Sequence, residues 1–145
     1  MADNGVRLRH YGRRAPLDSR FLSKLDAACS VTPASTGLVL GLAINYGGRA
    51  EIADAISEVI AKGTPVNEID QSAIAAALYT RGAPEPDLIV RPGGELRLSN
   101  FLLWQAAYAE LYFTQVLWPD FREKDLDEAL ASFASRKRRY GGLQA

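Results

Sequence analysis

The chain has 145 residues, 48% of them hydrophobic, which is enough for one compact domain with a core and too apolar for a disordered segment. Its 17 Lys and Arg balance 17 Asp and Glu, and this zero net charge argues against a general nucleic-acid binder, which needs surplus positive charge to displace counterions. One cysteine, Cys29, excludes an intrachain disulfide and suits a reducing, cytoplasmic setting, while a single histidine, His10, argues against a histidine metal cluster.

In chain order, Val6–Tyr11 alternates apolar and polar residues and ends at Gly12, which predicts a strand. Asp18 or Ser19 caps a helix with Phe21, Leu22, Leu25, Ala28 and Cys29 on its apolar face, closed by Pro33. Cys29 there reads as a small buried hydrophobe rather than a nucleophile. The nearly continuous apolar run Gly37–Asn45 predicts a strand buried on both faces, as in a parallel sheet. Tyr46-Gly47-Gly48 turns into a helix whose expected core stripe is Ile52, Ile56, Val59 and Ile60, with Gly63 at its end. Asp70 caps a further helix through Thr80, and Asp87–Val90 is a short strand.

Beyond an irregular, Gly-rich Arg91–Ser99, a helix is expected from Asn100 to about Phe113 and a last strand over Thr114–Trp118. A final helix starts near Asp120, turns Leu126, Leu130 and Phe133 inward, and ends in the basic run Arg136-Lys137-Arg138-Arg139. No signal peptide is expected, because the N-terminal stretch lacks an apolar core. The most apolar stretch, Phe101–Pro119, contains Gln, Glu and Thr and does not read as membrane-spanning. Strands alternating with helices predict an α/β fold, a mostly parallel sheet flanked by helices. Ligands of such sheets sit at the carboxyl ends of strands, where Arg91–Glu95 falls.

The chemistry concentrates in Asp87–Asp120. Arg91 ends a strand, Gly93 and Gly94 let backbone approach a ligand with exposed amides, and Arg97 follows. Ser99 and Asn100 stand at an expected helix start, which favours an anion. Arg presents a planar donor fork matched to phosphate oxygens. Two readings fit these residues on chemistry alone: a diphosphate cradle, or an ordinary loop with surface arginines and a helix cap. Glu110 is the only charged residue between Leu98 and Pro119. A carboxylate among apolar neighbours needs a cation: a loop Arg, a group from a partner chain, or a divalent metal bound to a diphosphate. A glutamate reaching solvent is the plainer alternative. Aromatic residues crowd this region (Phe101, Trp104, Tyr108, Tyr112, Phe113, Trp118 and Phe121), more than one short helix packs, so a share is expected at a subunit interface.

The run DLIVRPGGE at Asp87–Glu95, then Arg97–Gln105, Tyr108, Glu110–Phe113 and Leu117–Phe121, closely resembles the signature of cis-prenyltransferases such as undecaprenyl diphosphate synthase. Asn45–Arg49 and Arg138–Gly142 resemble two further blocks of that family. The resemblance implies a dimer that condenses isopentenyl diphosphate with an allylic diphosphate, giving a cis double bond and requiring Mg²⁺. It implies that Arg91, Arg97 and Ser99, with Gly93 and Gly94, bind isopentenyl diphosphate, and that Glu110 helps hold Mg²⁺. Arg139 and Gly141 match a tail that reaches across the dimer to phosphate in heteromeric members; a solvated helix end is the alternative.

Two departures stand out. Pro92 and Leu96 replace Thr and His of many bacterial members, and Leu96 removes a donor near the phosphates. The Asp-Gly-Asn-Gly-Arg loop that binds the allylic diphosphate in the family is missing from the sequence. Residues 1–145 are therefore expected to form a single domain equivalent to the C-terminal portion of a cis-prenyltransferase, with exposed apolar surface and no activity alone. The expected role is a half-enzyme, a homodimer or a heteromer with a chain that supplies the N-terminal half. The alternatives are a non-catalytic accessory subunit of a complete synthase, or an inactive remnant. A long lipid product would place the work near a membrane.

Overall fold

A computed structural model describes residues 5–31 and 37–136; Pro33, Arg139 and Gly141 lie outside the described residues. The chain divides into two compact units, Met1–Ala83 and Pro84–Ala145.

In the first unit, β1 (Arg7–Tyr11) pairs in parallel with β2 (Val39–Ala43), Leu8 opposite Leu40. Parallel neighbours need a long crossover, and here it carries α1 (Ser19–Ser30). Asp18 caps α1 as expected, its carboxylate accepting from the Arg20 and Phe21 amides at 2.9 and 3.1 Å. The helix packs on β1, and Leu8 and Leu25 are buried. Gly12 has φ +133°, and a Cβ there would lie 2.2 Å from the Ile44 carbonyl oxygen, so no other residue fits that exit from β1. Contrary to the expected two-sided burial, β2 alternates: Val39, Gly41 and Ala43 are exposed, while Leu40 and Leu42 are half-buried.

In α2 (Gly48–Ala61) the buried residues are Gly48, Glu51, Ala55 and Val59; of the expected stripe Val59 is buried and Ile52 half-buried, while Ile56 and Ile60 are exposed. The inward face is the one with small residues, and it takes in Glu51 because the Tyr46 hydroxyl donates to that carboxylate at 2.5 Å. A count of apolar residues alone misses such a face. Asp70 caps α3 (Gln71–Ala75) through the Ala73 amide at 2.8 Å. This helix is shorter than expected, because from Ala77 onward the amides bond three residues back and the chain tightens into turns.

In the second unit, β3 (Leu88–Arg91) and β4 (Glu110–Phe113) pair in parallel, Leu88 opposite Glu110 and Arg91 opposite Phe113. The expected helix over Asn100–Phe113 and strand over Thr114–Trp118 are both overturned. Left-handed backbone at Ser99, Asn100 and Leu102 (φ 48°, 66° and 46°) stops an α-helix at its first residues. A single 3₁₀ turn follows at Gln105–Tyr108, and Glu-Leu-Tyr-Phe then completes the ladder with Leu-Ile-Val-Arg. Aromatic and branched residues suit a strand once a partner is present, and that partner overrides the helical spacing. The last helix, α4 (Glu123–Ser135), packs on β4 with Asp125 and Ala129 buried. Asp125 faces inward because it accepts the Arg122 amide at 2.7 Å; Leu126 and Leu130, expected inside, are exposed, and Phe133 is half-buried. Among the described residues, no helix is long and apolar enough to cross a membrane.

Candidate functional site

The crossover between β3 and β4, residues 92–109, carries the candidate site. Arg91 is the last residue of β3, and its carbonyl accepts the Thr114 amide at 3.1 Å. Its guanidinium leaves the sheet end and turns back over the loop. Nη1 donates to the Arg97 carbonyl at 2.5 Å and to Ser99 Oγ at 2.8 Å, and Nη2 donates to the Glu95 carboxylate. Arg97 converges on the same groups: Nε donates to Ser99 Oγ at 3.2 Å and Nη2 to the other Glu95 oxygen. Two guanidinium groups thus share one hydroxyl and one carboxylate. Such a pair of planar forks can grip an anion with several oxygens.

Arg91, Glu95, Arg97 and Ser99 therefore come together, but the glycines act differently from expectation. The Gly93 amide donates to the Val116 carbonyl and the Gly94 amide to the Thr114 carbonyl, both at 2.8 Å. These donors are engaged within the protein and are not turned to a ligand. Gly94 has φ +76°, and a Cβ would lie 2.4 Å from Gln115 Oε1, so the glycines shape the turn that presents the arginines. Ser99 and Asn100 also do not start an α-helix, which removes the helix dipole from the account. Leu96, beside Arg97, is 78% exposed.

Glu110 opens β4, and its cation is an arginine, though not one from the loop. Arg136, the C-cap of α4, donates from Nη1 to Glu110 Oε2 at 2.6 Å and to the Leu111 carbonyl at 3.2 Å. The signal available in the sequence was the basic end of the last helix; what it lacked was the pairing of β4 with α4. Among the described residues no group of three His, Cys, Asp or Glu side chains is placed to hold a metal. Glu110 alone fits Mg²⁺ only in the sense that this ion takes one or two carboxylates and completes its shell with phosphate oxygens and water.

The first unit contains a polar cluster that the sequence did not reveal. Asn45, at φ 51°, donates from Nδ2 to the Arg13 and Ala15 carbonyls at 2.9 and 3.0 Å. Arg13 grips both Asp54 oxygens, at 2.8 and 2.7 Å, and the Tyr79 hydroxyl donates to the same carboxylate. The Arg13 bonds, helped by Tyr79, hold the Asp54 carboxyl at about 2. Burial, with the Asp54 bond, pushes the Tyr79 phenol up to about 12.

Parallel strand pairs packed with helices make this an α/β protein, with two guanidinium groups converging on one loop. The chain belongs to the prenyltransferase family described as "Putative undecaprenyl diphosphate synthase", whose profile matches residues 1–141. It is 50% identical over 139 residues to an isoprenyl transferase of Neisseria meningitidis, covering 96% of this chain and 55% of that protein. Its structure is similar to that of lavandulyl diphosphate synthase from Lavandula x intermedia, solved with dimethylallyl diphosphate, at TM-score 0.90 and 37% identity, over 94% of this chain and 61% of that one. It is also similar to a "probable undecaprenyl diphosphate synthase" from Campylobacter jejuni, at TM-score 0.85 and 35% identity, over 97% of this chain and 65% of that one. The chain thus spans a little over half the length of the curated relatives it matches.

Proposed function

We propose that these residues form the isopentenyl diphosphate site of a cis-prenyltransferase whose active site is completed from outside these 145 residues. The observation that carries this reading is the convergence of Arg91, Arg97 and Ser99 on one loop at the end of β3. In the reaction an allylic diphosphate ionises, the isopentenyl double bond attacks the resulting carbocation, and a proton leaves. Arg91, Arg97 and Ser99 would hold the isopentenyl diphosphate so that its double bond faces the allylic carbon. Glu110 is the carboxylate this chain would offer to Mg²⁺, which when bound neutralises diphosphate charge. Arg136 would share that carboxylate. The proposed setting is the cytoplasm, near the membrane that receives a long product.

The test is turnover with isopentenyl and allylic diphosphates plus Mg²⁺, measured for the chain alone and with a polypeptide carrying the Asp-Gly-Asn-Gly-Arg loop. No turnover is expected alone, and turnover is expected with the complement. In the active complex, Arg97→Ala is expected to lower turnover by about 100-fold, the scale of misplacing a bound reactant by about 1 Å. Unchanged kinetics would remove Arg97 from the site, and robust product from the chain alone would sink the half-enzyme reading. A second reading, an accessory subunit, draws on the exposed Leu117 and Trp118, which suit a docking surface. It predicts co-purification with a full-length synthase and no loss of activity in Arg97→Ala.

A further inference from the structure

We propose that Glu95 is a built-in counter-ion that occupies the anion position between Arg91 and Arg97 and screens incoming ligands by charge. This inference rests on reading the loop as a diphosphate site. One oxygen of the Glu95 carboxylate takes Nη2 of Arg91 and the other takes Nη2 of Arg97. A phosphate group bridging the two guanidinium groups would use the same two donors. The carboxylate is the side chain that can leave. Its exposure is 44%, so it re-enters water at small desolvation cost, and ion pairs on so open a loop are weak.

The rest of the cradle does not depend on Glu95. Arg91 Nη1 is held by the Arg97 carbonyl and Ser99 Oγ, and Arg97 Nε by Ser99 Oγ. Departure of the carboxylate therefore leaves both forks in place, with one donor freed on each. The electrostatics set the selection. With Glu95 in place the two arginines keep one uncompensated positive charge. A carboxylate ligand matches Glu95 in charge and gains little by displacing it. A diphosphate brings the charge and oxygens of two phosphate groups and displaces it with gain. Glu95 thus sets the threshold that separates diphosphates from singly charged anions.

The test is calorimetric titration of the full chain with inorganic pyrophosphate and, separately, with inorganic phosphate, at fixed ionic strength. Wild type, Glu95→Gln, Glu95→Ser and Arg97→Ala are compared, with circular dichroism confirming the wild-type fold in each. Both Glu95 variants are expected to bind pyrophosphate about 1.4- to fivefold more tightly, the range for an exposed ion pair removed. Phosphate, which must displace the same carboxylate, is expected to gain by a similar factor, so the threshold falls for both anions. If wild type binds pyrophosphate, Arg97→Ala weakens it, and the Glu95 variants bind equally or less tightly, the counter-ion role is overturned while the diphosphate site stands. If neither wild type nor the Glu95 variants bind pyrophosphate, the site itself falls.

Discussion

Asp54 shows how much one carboxylate can fix. Arg13 reaches it from the segment after β1, Tyr79 from the segment after α3, and Asp54 itself sits on α2. Its folded value of about 2 lies below the ordinary value of about 3.9. The group is charged in both states above the ordinary value, so its contribution to stability is fully present there. As pH falls from about 4 toward 2, the unfolded chain takes up the proton first and the contribution is lost. Thermal melts of wild type and Asp54→Asn are therefore expected to differ at about pH 6, with the gap shrinking as pH falls from about 4 toward 2. A gap that stays constant through that range would mean the Arg13–Asp54 pair does not stabilise the fold. Nothing in the spacing of Arg13, Asp54 and Tyr79 marks them as partners, because the fold brings them together across 41 and 25 residues. Arg91, Arg97 and Ser99 were legible for the opposite reason: eight residues separate Arg91 from Ser99, and a glycine turn says how they meet.

Elements were legible where a local device sets them. The Asp18 and Asp70 caps and the strand at Asp87–Val90 needed no tertiary information. The stretch from Asn100 to Trp118 departs from its expected structure because the same aromatic and branched residues satisfy a helical face or a strand ladder. The choice is made by Leu88–Arg91, a partner distant in sequence. Once β4 is a strand, Glu110 and the Leu111 carbonyl lie within reach of Arg136, and this clasp ties the end of α4 to β4. Arg136→Ala is expected to lower stability by about 0.5–1 kcal/mol, the worth of a half-exposed pair with one added hydrogen bond. That corresponds to about 2–4 °C in melting temperature. Glu110→Gln and the double variant complete a cycle, and a coupling energy near zero would show that the clasp does not contribute.

At the scale of the molecule, the exposed apolar side chains Leu38, Val66, Tyr108, Leu117 and Trp118 agree with the expectation of open apolar surface. Trp118 is 75% exposed and stacks on Phe121 with ring centroids 6.1 Å apart. An exposed, stacked aromatic pair is the kind of anchor that protein interfaces bury. Sedimentation at increasing concentration is expected to show self-association that Leu117→Gln/Trp118→Gln shifts toward monomer. Unchanged sedimentation of the double variant would place the contact elsewhere. The parallel α/β character was legible from alternation of apolar runs with capped helices. The burial of β2 was not, because an apolar run says that a strand has apolar faces and not whether either is covered.

The amides of Gly93 and Gly94, spent on the carbonyls of Val116 and Thr114, have one more consequence. They stitch the start of the arginine loop to the chain leaving β4, so the loop's conformational freedom is surrendered when the protein folds and not when a ligand arrives. At the proposed site, an anion that displaces Glu95 from Arg91 and Arg97 would find the backbone beneath them already ordered, and little of its binding energy would go into ordering it.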